Sequence, residues 1–293
     1  MLSDALGWRR ELAGRVAAAY AADPNAVAVL IAGSVGRGCA DRWSDLEIDV
    51  YYHRPPTRAE REAAVARAGA HLLELDADDE EWAELMSIGG YEVATSTFLV
   101  ATLEGYIRQV VAHGAIAPLA QVRLAALFSA QPVKGQALIA AWRAQAAYPD
   151  ALSEAMLRAG LDFGRFWRSA VLLAERDDRL ALMQVLVETG QRLVWALFGL
   201  NRCYLPTPDG LKWLDQALAA MPLQPRDCAM RLRQVLAAPP AAAVREMAAL
   251  IDELLALIAA QRPDFDLQPY RRAAEERRRP WDAPPALAQP AGS

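Results

Sequence analysis

Apolar residues at Leu6, Leu12, Val16 and Tyr20 recur at near-helical spacing between Ser3, which is suited to cap a helix, and Asp23-Pro24, which stops one. A first helix is predicted there. The run AVAVLIA over Ala26–Ala32 is short, apolar and rich in β-branched residues, the pattern of a buried strand. Three glycines in Gly33-Ser34-Val35-Gly36-Arg37-Gly38 break it, and LEIDVYY over Leu46–Tyr52 resumes as a second strand with alternating character. Thr57–Leu75 reads as an amphipathic helix rich in Ala and Arg. Glu74, Asp76, Asp78, Asp79, Glu80, Glu81 and Glu84 then crowd carboxylates together, which predicts a solvated, mobile loop or helix start. After Gly89-Gly90, the segment YEVATSTFLV over Tyr91–Val100 has the β-branched and aromatic content of a third strand.

Beyond Thr102 no further strand is predicted. Helices are expected around 102–113, 118–130, 134–147, 150–175, 178–199, 209–220, 226–236 and 240–261, separated by turns rich in Pro, Gly or Asp. The chain ends in PWDAPPALAQPAGS, a composition expected to stay disordered. The fold class predicted is α+β: a small α/β domain at 1–114, an all-α helical bundle at 115–265, and a disordered tail at 266–293. No internal repeat is evident.

With 293 residues, 54% of them hydrophobic, the chain can fill a sizeable core. No apolar run reaches the roughly 18 residues of a membrane span, and MLSDALGWRRELAGRV lacks a secretory apolar core. A soluble, cytoplasmic protein with no membrane partner is expected. Cys39, Cys203 and Cys228 are odd in number and far apart, which fits reduced thiols better than a disulfide framework. A net charge of −5 argues against a nucleic-acid partner, since such proteins neutralise phosphates with basic surfaces. The one dense basic patch, Arg271, Arg272, Arg277, Arg278 and Arg279, is interrupted by Glu275 and Glu276 and reads as a solvated helix end.

Candidate chemistry concentrates in the first domain. A glycine turn after a strand lets backbone N–H groups approach phosphate oxygens, although such turns also occur for their geometry alone. Eleven residues past Ser34, the carboxylates Asp45, Glu47 and Asp49 fall at period two, on one face of the second strand. Three like charges on one face need open water or a cation, and magnesium shared with triphosphate oxygens would satisfy them. An ordinary half-exposed strand gives the same alternation. His53, His71 and His113 show no metal-ligand spacing, and the Phe163, Phe166 and Trp167 cluster falls at helical spacing, as core residues do. No serine or cysteine triad, Walker lysine motif or HExxH helix is present.

Taken together, Gly33-Ser34, the following ten residues and Asp45-Leu46-Glu47, with Arg37-Gly38 and Ser44, resemble the signature of the DNA polymerase β-like nucleotidyltransferase superfamily. The look is closest to the aminoglycoside adenylyltransferases. The resemblance implies that Asp45 and Glu47 bind Mg2+, that Gly33, Ser34 and Arg37 hold the phosphates of ATP or another nucleoside triphosphate, and that a third carboxylate comes from a later strand. Glu92, in Tyr91-Glu92-Val93-Ala94-Thr95, is where that acid falls, as metal ligand and as base on the acceptor hydroxyl. The run Asn201-Arg202-Cys203-Tyr204-Leu205-Pro206 with Lys212-Trp213 is similar to a helical-domain segment whose lysine reaches across a cleft to the triphosphate. Lys212 is the candidate, Arg192 a further one, and a surface lysine is the alternative for Lys212. Glu47 stands where most relatives carry Asp, and Asp49 has no fixed counterpart. The activity implied is transfer of AMP to a small, cationic acceptor such as an aminoglycoside-type antibiotic. Two alternatives are a catalytically silent nucleotide sensor or partner protein, and a transferase acting on protein or tRNA.

Overall fold

A computed structural model describes residues 2–77 and 81–278. The chain divides into two compact units, Met1–Met156 with Arg202–Lys212 and Leu157–Asn201 with Trp213–Ser293. The first unit begins with α1 (Leu2–Ala21), β1 (Ala26–Ile31), the short turn α2 (Gly33–Gly36), β2 (Leu46–Tyr52) and α3 (Arg58–Arg67). Three strands follow, β3 (His71–Ala77), β4 (Glu81–Ile88) and β5 (Tyr91–Leu99). Then come α4 (Val100–Ile107), a wider π turn at Arg108–Ala112, α5 (Pro118–Ser129), β6 (Gln131–Lys134), α6 (Gln136–Gln145) and the start of α7 (Asp150–Leu161). The strands make one mixed sheet in the order β3-β4-β5-β2-β1-β6. Among the described neighbouring pairs only β2–β5 is parallel.

The period-two pattern of β2 sends its residues to two different environments. Leu46, Ile48, Val50 and Tyr52 join Met86 and Val93 in one core cluster with Ala13, Val16, Ala17 and Tyr20 of α1 and Ala64 and Val65 of α3. Burying one such large side chain is worth about 1.5–3 kcal/mol. The opposite face carries Glu47, Asp49 and Tyr51. Tyr51 is buried there against Phe98, with centroids 5.3 Å apart, and against Trp142 of α6 at 5.0 Å. This second face holds the candidate site.

Three local expectations are corrected. The helix predicted over Thr57–Leu75 ends at Arg67, because Gly69 takes a left-handed φ of +71° and turns the chain into β3. The acid-rich stretch forms the antiparallel β3 and β4 instead of a loop; Asp78, Asp79 and Glu80 lie outside the described residues. What permits this is Glu84, 1% exposed and ion-paired with buried Arg61. Arg61 also donates to Asp76 O at 2.7 Å and Ala83 O at 2.8 Å, while the hydroxyls of Thr95, Thr97 and Tyr20 donate to the Glu84 carboxylate. A buried charge so fully paired is tolerated and fixes the strand register. The third correction is β6, a short edge strand with Pro132 that the sequence pattern missed. It pairs antiparallel with β1, and Lys134 Nζ donates to Ala21 O and Asp23 O at 2.9 and 2.8 Å.

The described part of the second unit is helical, as expected: the end of α7, α8 (Gly164–Trp167), α9 (Ala170–Glu175), α10 (Arg179–Leu200), α11 (Leu214–Ala219), α12 (Cys228–Ala237), α13 (Pro240–Gln261) and α14 (Gln268–Glu275). The helix predicted over 150–175 is therefore three pieces. Within the expected tail, 268–275 is a helix, held by Trp167 Nε1 donating to Ala274 O at 3.1 Å; residues 279–293 lie outside the described residues. The break read near residue 115 precedes α5, whereas the first compact unit continues through α6 and takes back Arg202–Lys212. The mixed sheet with its helices and the helical second unit make the fold α+β. No described helix is long and apolar enough to cross a membrane.

Candidate active site

The site is built on the turn between β1 and β2. Gly33 adopts φ +58°, and a Cβ placed on it would stand 2.1 Å from Glu47 Oε2. Glycine is required there twice over, by backbone conformation and by the carboxylate lying across it. Gly36 is equally confined, its Cβ position being 2.4 Å from Ile31 O. The tight turn is pinned by Ala32 N donating to Glu47 O at 2.9 Å.

Beside this turn, Gly33, Arg37, Asp45, Glu47, Asp49 and Lys212 line one cavity of about 290 Å³. Arg123 and Ser129 of α5, Ala94 and Ser96 of β5, and the turn at Pro206, Thr207 and Pro208 complete its wall. All of these residues belong to the first compact unit. Ser34 is buried next to Gly33 and is not on the cavity wall; its carbonyl accepts from Cys39 N at 2.9 Å. The segment Arg202–Lys212 was expected in the helical half, and it packs instead as part of the unit that holds the acids.

The acids differ in environment. Asp45 is exposed at the entrance to β2, and Glu47 keeps an open edge although protein surrounds most of its carboxyl. That surrounding protein raises the Glu47 pKa, the Asp45 charge raises it further, and Arg37, Lys212 and Arg123 oppose the rise. Asp49 is 3% exposed, and its carboxyl is pushed up to about 7, first by burial and then by the charges of Glu47 and Glu81, against the pull of Arg123. Arg123 itself is fixed by donating to Glu81 Oε2 at 2.8 Å and by lying 4.7 Å over the Phe98 ring. Tyr106 holds Glu81 from the other side at 2.9 Å.

Whether this set suits magnesium can be judged from its donors. Among the described residues no three His, Cys, Asp or Glu side chains converge as a complete ligand set. Magnesium does not need one, since it commonly takes one or two protein carboxylates and completes its shell with water and phosphate oxygens. Asp45 and Glu47, adjacent, mutually repelling and backed by Arg37 and Lys212, fit that requirement.

The neighbour of Glu47 across the parallel pair with β5 is Ala94, and that of Asp49 is Ser96. Glu92 lies one same-face position earlier, exposed at the start of β5. It does not line the acid cavity. It lines a separate groove with Asp45, walled by Trp8, Trp43 and Tyr91. Trp43 is 80% exposed, and Trp8 and Tyr91 meet at 5.6 Å. Arg192 is in the second unit, on a recess with Phe166, Glu188, Gln191 and Trp195, and donates to Ala159 O at 3.1 Å. Sequence reasoning did not find Arg123, Ser96 or Ser129. Arg123 as the lone charged residue of PLAQVRLAALFS was the signal for the first; the two serines gave none.

No family model matches the chain, and no curated protein sequence matches it significantly. Among solved structures it is similar to a nucleotidyltransferase-like protein from Exiguobacterium sibiricum 255-15, at 10% identity and a TM-score of 0.41, over 86% of this chain and 77% of that one. A likeness this distant assigns neither activity nor site.

Proposed function

We propose that the protein is a magnesium-dependent nucleotidyltransferase that moves a nucleoside monophosphate, AMP in the first instance, to a hydroxyl of a small cationic acceptor. The observation that carries this reading is the convergence of Asp45, Glu47, Arg37 and Lys212 on one cavity beside a glycine that must be glycine. Asp45 and Glu47 would hold the metal, which when bound neutralises triphosphate charge and activates an acceptor oxygen. Arg37 and Lys212 balance the negative charge that gathers on pyrophosphate as it departs. In the transfer, the acceptor oxygen bonds to the α-phosphorus, the bond from that phosphorus to the bridging oxygen breaks, and pyrophosphate leaves. Glu92 is assigned the acceptor proton, because it shares the aromatic groove with Asp45. Asp45 and Glu92 on that groove supply hydrogen-bond acceptors for an amine-bearing acceptor, while Arg9 and Arg42 already lie over the Trp8 and Trp43 rings.

Asp45→Asn is expected to leave the thermal unfolding transition in place and abolish magnesium-dependent pyrophosphate release. Full turnover by this variant would remove the metal site from consideration. The placement of Ala94 beside Glu47 favours a second reading, a nucleotide binder that performs no transfer. Calorimetry with ATP and magnesium, followed by pyrophosphate release over a broad acceptor panel, separates the two: binding without release across the panel selects the silent binder. A susceptibility panel of cells expressing the protein tests the acceptor class, with resistance to an aminoglycoside expected and its loss on Glu92→Gln. No shift with any drug of the panel would sink antibiotic modification.

A further inference from the structure

A second recess of opposite character adjoins the acid cavity and shares Ala125 with it. Its walls are mainly carbon, from Ala125, Phe128, Ala147, Tyr148, Cys203 and Tyr204, around about 410 Å³. The same two segments build both spaces. On α5, Val122, Ala126 and Ser129 face the acid cavity while Phe128 faces the recess; along the returning segment, Cys203 and Tyr204 face the recess while Pro206, Thr207, Pro208 and Lys212 face the acids. Both spaces lie within the first compact unit.

The recess is floored by packed aromatic rings. Tyr204 is fixed by its hydroxyl donating to Ala146 O at 3.1 Å, and its ring meets Tyr148 at 4.9 Å and Phe128 at 6.2 Å, the latter stacked at 25°. Phe128 is 50% exposed. The helix does not need it for packing, since Ala120, Leu124 and Leu127 form the buried apolar face of α5. A half-exposed phenylalanine beside two ordered tyrosines offers an open aromatic face.

A nucleotide has this same division, a flat base with apolar faces at one end and a polyanion at the other. We propose that the recess receives the nucleobase of the nucleotide whose phosphates occupy the acid cavity, by stacking on the open face of Phe128, which the buried Tyr204 backs from the other side. This rests on the nucleotidyltransferase reading for the phosphate end alone. It also carries a prediction about selectivity. The guanidinium of Arg202, the one charged group on the recess, is ion-paired with Asp150 and donates to Tyr148 O at 2.7 Å. Base edges are therefore read little and base faces much, so purines are preferred to pyrimidines by stacking area, and adenine and guanine are accepted alike.

The test is calorimetry in magnesium with ATP, GTP, CTP and inorganic tripolyphosphate, on the wild type, Phe128→Ala and Phe128→Trp. ATP and GTP are expected to bind comparably and more tightly than CTP or tripolyphosphate. Phe128→Ala should weaken ATP and GTP by roughly tenfold, leave tripolyphosphate unchanged, and be rescued by Phe128→Trp. Equal affinity of the wild type for ATP and tripolyphosphate, or ATP binding unaffected by Phe128→Ala, overturns the base site and leaves the phosphate site standing. A wild type that binds neither ATP nor tripolyphosphate overturns both.

Discussion

At Gly33 a single hydrogen in place of a methyl group decides whether the Glu47 carboxylate can lie across the turn. Gly33→Ala sets Cβ into that carboxylate and also imposes a left-handed alanine at about 1–2 kcal/mol. Gly38, at φ +75° with nothing near its Cβ position, isolates the second effect. Both alanine variants are expected to lower the urea midpoint, and only Gly33→Ala should lose magnesium-dependent pyrophosphate release; equal activity in the two would deny Gly33 its place at the site. Gly33, Arg37, Asp45 and Glu47 were legible in the sequence because their spacing lies within one strand–turn–strand unit. Arg123 was not, since its meaning depends on Glu81, a partner 42 positions away on a strand that composition disguised. Glu92 shows the limit of motif spacing, because a slide of two residues along β5 keeps the face and changes which residue stands beside Glu47.

Among the elements, β3 and β4 were the least legible, since a strand whose buried position is a carboxylate breaks the apolar alternation that announces strands. Glu84 supplies that position. Glu84→Gln leaves Arg61 buried without its counter-ion and is expected to cost about 3–5 kcal/mol. Urea unfolding checks this, and a loss within the range of an ordinary surface substitution would show that the pair does not hold the hairpin. The start of α3 gives a pH signature. Glu60 is held down to about 2 from an ordinary 4.5, first by the Arg54 guanidinium and then by the Thr57 backbone N–H of the capping box. A carboxyl depressed in the folded state stabilises above its unfolded pKa and loses that contribution as pH falls through the folded value. The melting temperature of Glu60→Gln should therefore lie below that of the wild type near neutral pH, and the gap should close between about pH 4.5 and 2. A gap that persists in acid would assign the effect to packing.

In the whole molecule, the candidate site depends on a segment far from it in sequence. A chain ended after Met156 keeps all six strands, Asp45, Glu47 and Arg123, but lacks the Arg202–Lys212 wall. It is expected to bind ATP with magnesium far more weakly than the full chain, with sheet content followed by circular dichroism; unchanged affinity in a folded truncation would exclude Lys212 from the phosphate end. The returning segment also sets a schedule for biosynthesis. The 56 residues from Leu157 to Lys212 take roughly 3–11 s to translate, so the sheet and its carboxylates leave the ribosome well before their ammonium partner. During that interval the nascent chain has the acids with Arg37 and Arg123 but without Lys212. On the nucleotidyltransferase reading, the phosphate end of the cavity is therefore complete only once Lys212 has been made.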